Sequence, residues 1–214
     1  MTENERRPRP VQTRRRRRRR RARLAKRVSS VTAIVVLALA LIGFGAWRLL
    51  TRFPGLTIRH YPMEYEATIR ACAQSEGIPP AYAAAVILAE SSYRPDAVSS
   101  ANAQGLMQLL PDTAAWIAGK FDEEYVEGCL FDPETNVRYG CWYLGFLMRR
   151  YDGDMRCASS AYHAGQGNVD KWLQNPEYSA DGHTLDTIPY ASTNTYVQRV
   201  LKYYEYYQPL YETT

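Results

Sequence analysis

The sequence predicts a single, mostly α-helical domain that follows an N-terminal transmembrane helix. Three features of the 214 residues support this prediction: one uncharged apolar segment near the N-terminus, helical spacing of apolar residues over the remainder, and Pro and Gly at the expected helix ends. Only residues 104–110, between a polar turn and Pro111, have the character of extended chain. We therefore expect at most a small β element.

The charged residues divide the chain into a basic tail and an acidic body. Residues 1–27 carry fourteen Lys and Arg against two Glu, a net charge of +12, whereas the rest carries thirteen against twenty, a net charge of −7. A segment with so much charge and so little apolar content is predicted to be disordered. We expect its eight consecutive arginines, residues 14–21, to contact anionic lipid. We expect no specific nucleic-acid partner, because no aromatic or folded scaffold accompanies the charge.

The apolar segment is long enough to cross a bilayer. Val31 to Trp47 contain no charged residue, and with residues 28–30 the segment reaches twenty residues, about 30 Å as a helix. The preceding arginines predict a single-pass plasma-membrane protein with a cytoplasmic N-terminus and an extracytoplasmic body. A cleaved signal peptide is the alternative, since Gly43-Phe44-Gly45 resembles a cleavage site. The predicted order of tail, anchor, linker and domain covers residues 1–27, 28–50, 51–62 and 63–214.

All four cysteines lie in the predicted outer domain, where disulfides are permitted. We expect at least one disulfide, and the sequence leaves the three pairings open. The cysteine spacing does not match a zinc site, and the three histidines are scattered. We therefore expect no metal and no cofactor. The four cysteines are Cys72, Cys129, Cys141 and Cys157.

Helix signals recur along the outer domain. Gly77 marks the end of the first helix, and Pro80 opens the second, which Pro95 prevents from continuing. Asp132 is the predicted N-cap of the longest helix, with Pro133 at its first position. The predicted helices cover residues 64–76, 80–92, 112–120, 133–151, 155–163, 168–174 and 193–211.

One carboxylate, Glu90, stands at the end of an unbroken apolar run on the second predicted helix. The run begins at Ala81, and Glu90 shares a helix face with Val86 and Ile87. Desolvation raises the pKa of a carboxyl group, and a glutamic acid still protonated near neutral pH can serve as a general acid. The alternative is that Glu90 caps the helix or forms an ion pair at its end.

Four ordered motifs favour the catalytic interpretation. In them the chain resembles the soluble-type lytic transglycosylases, whose α+β fold is lysozyme-like and related to goose-type lysozyme. The resemblance covers about residues 61–211. The motifs are Ala89-Glu90-Ser91-Ser92-Tyr93, Gly105-Leu106-Met107-Gln108, Ala161-Tyr162-His163-Ala164-Gly165, and Ile188-Pro189-Tyr190 with Thr193 and Tyr196.

The resemblance implies that Glu90 is the single catalytic acid and base. It would protonate the β-1,4 glycosidic oxygen between N-acetylmuramic acid and N-acetylglucosamine in peptidoglycan, and then accept the proton of the muramoyl C6 hydroxyl. That hydroxyl closes on C1 and leaves a 1,6-anhydro end. Ordinary glycosidases need two carboxylates about 5–9.5 Å apart. The only other acid nearby in sequence is Asp96, which we expect to serve in a turn.

The resemblance also assigns substrate-binding positions. Ser99 is expected to bond the catalytic carboxyl or the N-acetyl group, and Gln108 is expected to line the cleft. Tyr162 is expected to bond Glu90, and Tyr196 to contact substrate. His163 is a further candidate, although the family has Asn there and a histidine titrates near neutral pH.

Two further departures from the family pattern concern the cleft. Leu110 replaces a usual Met, a swap that conserves volume. Ser192-Thr193-Asn194 replaces a usual Glu-Thr-Arg, which affects fine substrate binding rather than the chemistry. Two other functions stay open: a goose-type-lysozyme-like hydrolase that uses the same glutamate, and a non-catalytic wall-binding module.

Overall fold

The computed structural model describes residues 61–212, together with Phe44 and Arg48, which are helical. Apart from those two residues, the predicted anchor at residues 28–50 lies outside the described residues. So do the predicted tail and most of the predicted linker. Across the described part of the chain, no helix is both long and apolar enough to cross a membrane. The predicted anchor and its topology stay predictions.

Residues 61–212 belong to one compact unit and contain seven α-helices. Strand pairing within this range is limited to two isolated bridges, Val98 with Gln104 and Gln104 with Leu109. The prediction of a mostly helical domain with at most a small β element is therefore confirmed. The helices are α1 (Glu66–Glu76), α2 (Pro80–Glu90), α3 (Pro111–Ala118), α4 (Pro133–Arg150), α5 (Met155–Ala164), α6 (Gln166–Leu173) and α7 (Ala191–Glu212), with a 3₁₀ turn at Cys129–Phe131 before α4.

The helix ends follow the signals in the sequence closely. Gly77 ends α1 in the left-handed conformation, with φ of 69°, and its N–H bonds the last carbonyls of the helix. The Asp132 carboxylate caps α4 by accepting a hydrogen bond from the backbone N–H three residues on. Helix α2 ends at Glu90, two residues before the predicted end, because Ser92 and Tyr93 adopt positive φ angles of 55° and 63°.

The apolar run of α2 forms the centre of the main hydrophobic core. Residues 81–87 are all buried, and α2 packs most extensively against α7. The one hydroxyl in this run is satisfied, because Tyr82 Oη lies 2.9 Å from Ser159 Oγ on α5. Helix α2 is thus fixed on every side, and its last residue is held at a defined position.

A second, smaller core cluster lies between α3 and α4. Its buried members include Leu109, Ile117, Leu130 and Tyr139. Tyr143 and Tyr162 pack against both this cluster and the main core. The side chains that bridge the two clusters therefore mark the junction at which a cavity can form.

The prediction of a disulfide is wrong for this structure, in which all four cysteines are free. Cys141 and Cys157 are fully buried in the main core. Burial raises the pKa of both thiols, that of Cys157 to about 12. A buried free cysteine behaves as a small apolar residue, so these two are explained by packing.

Candidate active site

A cavity of about 500 Å³ opens where the two core clusters meet. Five of the six residues predicted to act on substrate line it: Glu90, Ser99, Gln108, Tyr162 and His163. Glu90 is the only carboxylate among its lining residues in the described part of the chain. The sixth, Tyr196 on α7, is buried against His163 and is not part of the lining, so the expected direct contact with substrate is not seen in the cavity wall.

Glu90 is the last residue of α2, and its carboxyl group is held in an unfavourable environment for charge. Burial raises the pKa of Glu90 to about 7, while the Tyr196 hydroxyl and the Arg199 guanidinium offset part of this rise. The C-terminal end of a helix carries a partial negative charge, which also disfavours a carboxylate there. At neutral pH the group is therefore divided between acid and base forms, as a group that must both give and take a proton requires.

Tyr196 connects Glu90 to the side chains of α7 and α5. Its ring is buried and lies against His163, with 4.6 Å between centroids. The Tyr196 hydroxyl interacts with the Glu90 carboxyl but does not reach the geometry of a formed hydrogen bond, and it has no other partner among the described residues. The guanidinium carbon of Arg199 lies 5.8 Å from the Tyr196 centroid.

A short hairpin places Gln108 at the cavity. Backbone N–H groups of Gln104 and Leu109 donate to each other's carbonyl oxygens, at 2.9 and 3.1 Å. Gln108 lies in the turn with φ of 49°, an uncommon value for a residue with a side chain. Its amide Nε2 donates to Ala97 O and Gly105 O, both at 3.0 Å. Because both N–H groups are used, the amide oxygen is the group left to accept a hydrogen bond from a ligand.

The hairpin is fixed from beneath by Asn136, a fully buried residue of α4. Asn136 Oδ1 accepts from Met107 N at 2.7 Å, and its Nδ2 donates to Gln104 O and Leu130 O, each at 2.9 Å. Gly105 leaves the space for this contact, since a Cβ there would collide with Leu130 O and with Asn136. The turn residues are thus positioned by a polar group that is fully satisfied.

The expected hydrogen bond from Tyr162 to Glu90 is not formed. The Tyr162 hydroxyl instead donates to Met107 O at 2.7 Å. Burial raises the pKa of Tyr162, and the nearby Glu90 carboxylate raises it further. Tyr162 therefore ties α5 to the hairpin and forms a wall of the cavity, and its hydroxyl is occupied.

Ser99 uses its hydroxyl oxygen to hold its own loop. Its Oγ accepts from Ala101 N at 3.3 Å and from Ala103 N at 3.0 Å. A hydroxyl that accepts two N–H groups still has its proton to donate. In the cavity, Ser99 is therefore a donor for a carbonyl or carboxylate oxygen.

His163 lies at the end of α5, where Gly165 turns the chain with φ of 85°. Its Nδ1 is 3.0 Å from the hydroxyl of buried Thr193. Burial and the Arg199 charge both lower the pKa of His163 below its usual value. The imidazole is consequently neutral at neutral pH, and it neither opposes nor favours the ionisation of Glu90 through a charge of its own.

Sequence reasoning missed three residues of this site: Arg199, Asn136 and Tyr143. Asn136 had a usable signal, because an amide on the apolar face of a predicted helix requires buried partners. Arg199 follows Tyr196 by three residues on α7, so helical spacing placed them on one face. Tyr143, which lines the cavity, had no signal beyond helical periodicity.

The helical domain thus places one desolvated glutamate in an open cavity, an arrangement suited to general acid–base chemistry. The family model described as "Transglycosylase SLT domain" matches residues 67–184. The chain belongs to this family.

Curated relatives align with 55% to 70% of the chain. The chain is 34% identical over 151 residues to the soluble lytic murein transglycosylase of Escherichia coli K12. This alignment covers 69% of this chain and 23% of that protein. It is 38% identical over 151 residues to the putative soluble lytic murein transglycosylase of Haemophilus influenzae, covering 70% and 26%. A membrane-bound lytic murein transglycosylase C of Actinobacillus pleuropneumoniae is 32% identical over 127 residues, covering 55% and 35%. The chain thus spans about a quarter to a third of these relatives' length.

Solved structures that match this chain are also described as lytic transglycosylases. An inactive mutant of lytic transglycosylase Slt from Pseudomonas aeruginosa matches with a TM-score of 0.64 and 31% identity, over 80% of this chain and 29% of that one. The 70-kDa soluble lytic transglycosylase of Escherichia coli matches with a TM-score of 0.64 and 33% identity, over 70% and 25%. Its complex with bulgecin A matches with a TM-score of 0.65.

Proposed function

We propose that the chain is a peptidoglycan lytic transglycosylase. It cleaves the β-1,4 bond between N-acetylmuramic acid and N-acetylglucosamine and leaves 1,6-anhydro-muramoyl ends. The observation that carries this proposal is Glu90, a single carboxyl group whose pKa burial raises to about 7 within a cavity of about 500 Å³. Family membership supports the reaction class.

One carboxyl group is sufficient when the substrate supplies its own nucleophile. In the first step, protonated Glu90 gives its proton to the leaving glycosidic oxygen as the C1–O bond breaks. In the second step, the Glu90 carboxylate accepts the proton of the C6 hydroxyl as that oxygen bonds C1. The proton is returned to Glu90, no water is consumed, and no second carboxylate is needed. A two-carboxylate mechanism would require a partner about 5–9.5 Å away.

Three neighbours of the glutamate have roles that follow from their remaining hydrogen-bonding capacity. Ser99 donates to the N-acetyl carbonyl of the substrate or to the Glu90 carboxylate. Gln108 accepts from a sugar hydroxyl or amide through Oε1. Tyr196 donates to Glu90 once the carboxyl is ionised, which stabilises the base form in the second step.

His163 supplies a neutral ring at the rim of the cavity. Its Nδ1 interacts with Thr193, which leaves Nε2 for a sugar hydroxyl. Because the pKa of His163 is lowered, we expect this contact to persist through neutral pH without a change of charge.

We also propose that residues 28–50 anchor the domain in the plasma membrane with the N-terminus inside. The apolar segment and the arginines before it support this proposal. A protease added outside wall-stripped cells should digest the domain at residues 63–214 and spare an N-terminal tag. Labelling of that tag from outside would contradict the proposed orientation.

Mass analysis of the soluble products tests the reaction. Digests of purified wall by the full-length chain should contain 1,6-anhydro ends, one water lighter than the products of a hydrolase on the same wall. Reducing ends in their place would support a lysozyme-like hydrolase. Wall binding without any product would support a non-catalytic binding module.

A further inference from the structure

A row of aromatic rings leads away from the cavity along α3 and α4. Tyr143, which lines the cavity, lies 5.4 Å from Tyr162 and 6.2 Å from Trp116, between ring centroids. Beyond it, Trp142 and Phe146 are stacked nearly parallel at 5.7 Å, and each meets Trp116 edge to face. We call Trp116, Trp142, Tyr143 and Phe146 the aromatic shelf.

Trp116 is the most accessible ring of the aromatic shelf, with 39% of its surface exposed, whereas the other three are half-buried. Thr113 precedes it by about one turn on the same face of α3 and lines the cavity. The exposed surface of Trp116 therefore continues the cavity wall. Because three neighbouring rings hold Trp116, it is ordered in place before any ligand arrives, and less conformational entropy is lost on binding.

A cation stands beside this ring. Lys120 Nζ lies 5.5 Å from the Trp116 centroid, and Lys120 is exposed. It takes no part in any of the four ion pairs formed within the described residues. Its ammonium group is therefore available to bond an oxygen-rich ligand that lies over the tryptophan.

We propose that the aromatic shelf and Lys120 form an additional glycan subsite, which holds sugar units of the strand beyond those inside the cavity. This inference rests on the proposed function, because a strand in the cavity must continue out of it. The apolar face of a pyranose ring packs against an indole, while the ammonium donates to sugar hydroxyls or to the lactyl carboxylates of the muramoyl units, which peptide-free strands retain. The continuity with the cavity wall favours a glycan over a lipid surface as the occupant.

Binding of strands of graded length tests the subsite. The full-length chain carrying Glu90→Gln would be titrated with peptide-free glycan strands from disaccharide to long oligomers. Trp116→Ala added to it should weaken binding of the long strands about tenfold, which corresponds to about 1.4 kcal/mol, and leave the shortest strand unaffected. Phe131→Ala is the matched control, since Phe131 is 41% exposed and does not line the cavity.

A second variant does not depend on the packing of Trp116. Lys120→Gln should weaken long-strand binding at low salt and lose this effect at high salt, because the ammonium is exposed. Thermal unfolding of each variant, compared with that of the parent, identifies any loss that comes from a disrupted fold.

Three results would overturn the subsite. The first is long-strand binding that neither Trp116→Ala nor Lys120→Gln changes. The second is an equal loss at every strand length. The third is loss of binding to anionic lipid vesicles with unchanged glycan binding, which would assign the aromatic shelf to a membrane surface. If the parent chain binds no strand of any length and cleaves none, the proposed function fails as well, and this outcome is distinct from the other three.

Discussion

Two cavities of similar size in this domain differ in how their charged groups are solvated and paired. The Glu90 cavity, about 500 Å³, has this one carboxyl group in its lining. A second cavity, about 580 Å³, lies between α1 and the first turns of α4 and is lined by Asp132, Glu134 and Arg138. The second cavity has more charge, yet its charges are solvated or paired: Asp132 accepts two hydrogen bonds from Thr135, and these lower its pKa.

The comparison teaches that desolvation without a full partner, rather than the number of charged groups, creates a reactive carboxyl. Arg138 forms a bidentate ion pair with Glu123, at 2.7 and 2.8 Å, so its charge is balanced. The thiol of Cys72 in the same cavity has a pKa raised by burial, which keeps it protonated and a poor nucleophile. Among the carboxyl groups of residues 61–212, only Glu90 combines burial, a raised pKa and a position on the cavity wall.

The largest expected effect is a loss of turnover on substitution in the Glu90 cavity, with no such loss on substitution in the second cavity. Glu90→Gln should lower turnover by at least about 10²–10⁴-fold, the usual contribution of a general acid–base group, because the residue acts in both steps. Release of soluble fragments from purified wall measures this loss. Asp132→Asn and Asp96→Asn are the controls and should keep turnover close to wild type. A Glu90→Gln chain that cleaves at a near wild-type rate would refute the assignment.

The raised pKa of Glu90 should also be visible in stability. The pKa of Glu90 is about 7 in the folded state and ordinary in the unfolded state. At pH 4 the group is protonated in the folded state and does not destabilise it. As pH rises toward 7 the unfolded state ionises first, so the folded state loses stability. Relative to wild type, Glu90→Gln should therefore gain roughly 3 kcal/mol between pH 4 and pH 8. Denaturant unfolding of both chains at the two pH values measures the change, and a constant difference would contradict it.

Asp132 should show the opposite pH dependence. Its pKa is lowered, so its stabilising effect is present at neutral pH and is lost as pH falls through the lowered value. Asp132→Ala should cost about 1 kcal/mol at pH 7, as loss of an N-cap does, and less near pH 3, with wild-type turnover throughout. A loss of the same size at both pH values would show that the cap does not depend on the charge.

The smallest effect concerns Arg199. Burial raises the pKa of Glu90, and the Arg199 charge offsets part of that rise. Glu90 must be protonated for the first step, so activity should fall as pH rises above its pKa. Arg199→Gln should move this alkaline limb to higher pH by a fraction of a pH unit, since an exposed charge is well screened. The pH profile of kcat/KM at low and high salt measures the shift, which should shrink with salt. A shift to lower pH would contradict the sign.

The parts of the fold that could be predicted are the helix ends and the burial that nearby residues determine. Gly77, Pro80 and Asp132 each act within one turn of their own helix, and all three helix ends lie where these residues placed them. The burial of α2 was also predictable, because an uninterrupted apolar run has no solvent-facing side. The early end of α2 was not, since nothing in Ser92 or Tyr93 requires a positive φ.

Contacts between distant segments limited the prediction of the site. Glu90 was singled out because its position at the end of the apolar run is a local signal, and the four motifs of the family then favoured the catalytic interpretation over a cap or an ion pair. The hydroxyl of Tyr162 was assigned to Glu90, but it bonds Met107, 55 positions away. Asn136 likewise acts on a turn about 30 residues away. Such pairings depend on how α4 and α5 pack, which periodicity does not specify.

A site-resolved titration of Glu90 tests the central claim most directly. The full-length chain labelled with ¹³C at glutamate carboxyl carbons would be followed by NMR from pH 3 to pH 9, with Glu90→Gln used to assign the resonance. The account predicts a midpoint near 7 for Glu90, well separated from an ordinary glutamate. A midpoint near 4.5 would contradict the claim that burial raises the pKa of this carboxyl group and keeps part of it in the acid form at neutral pH.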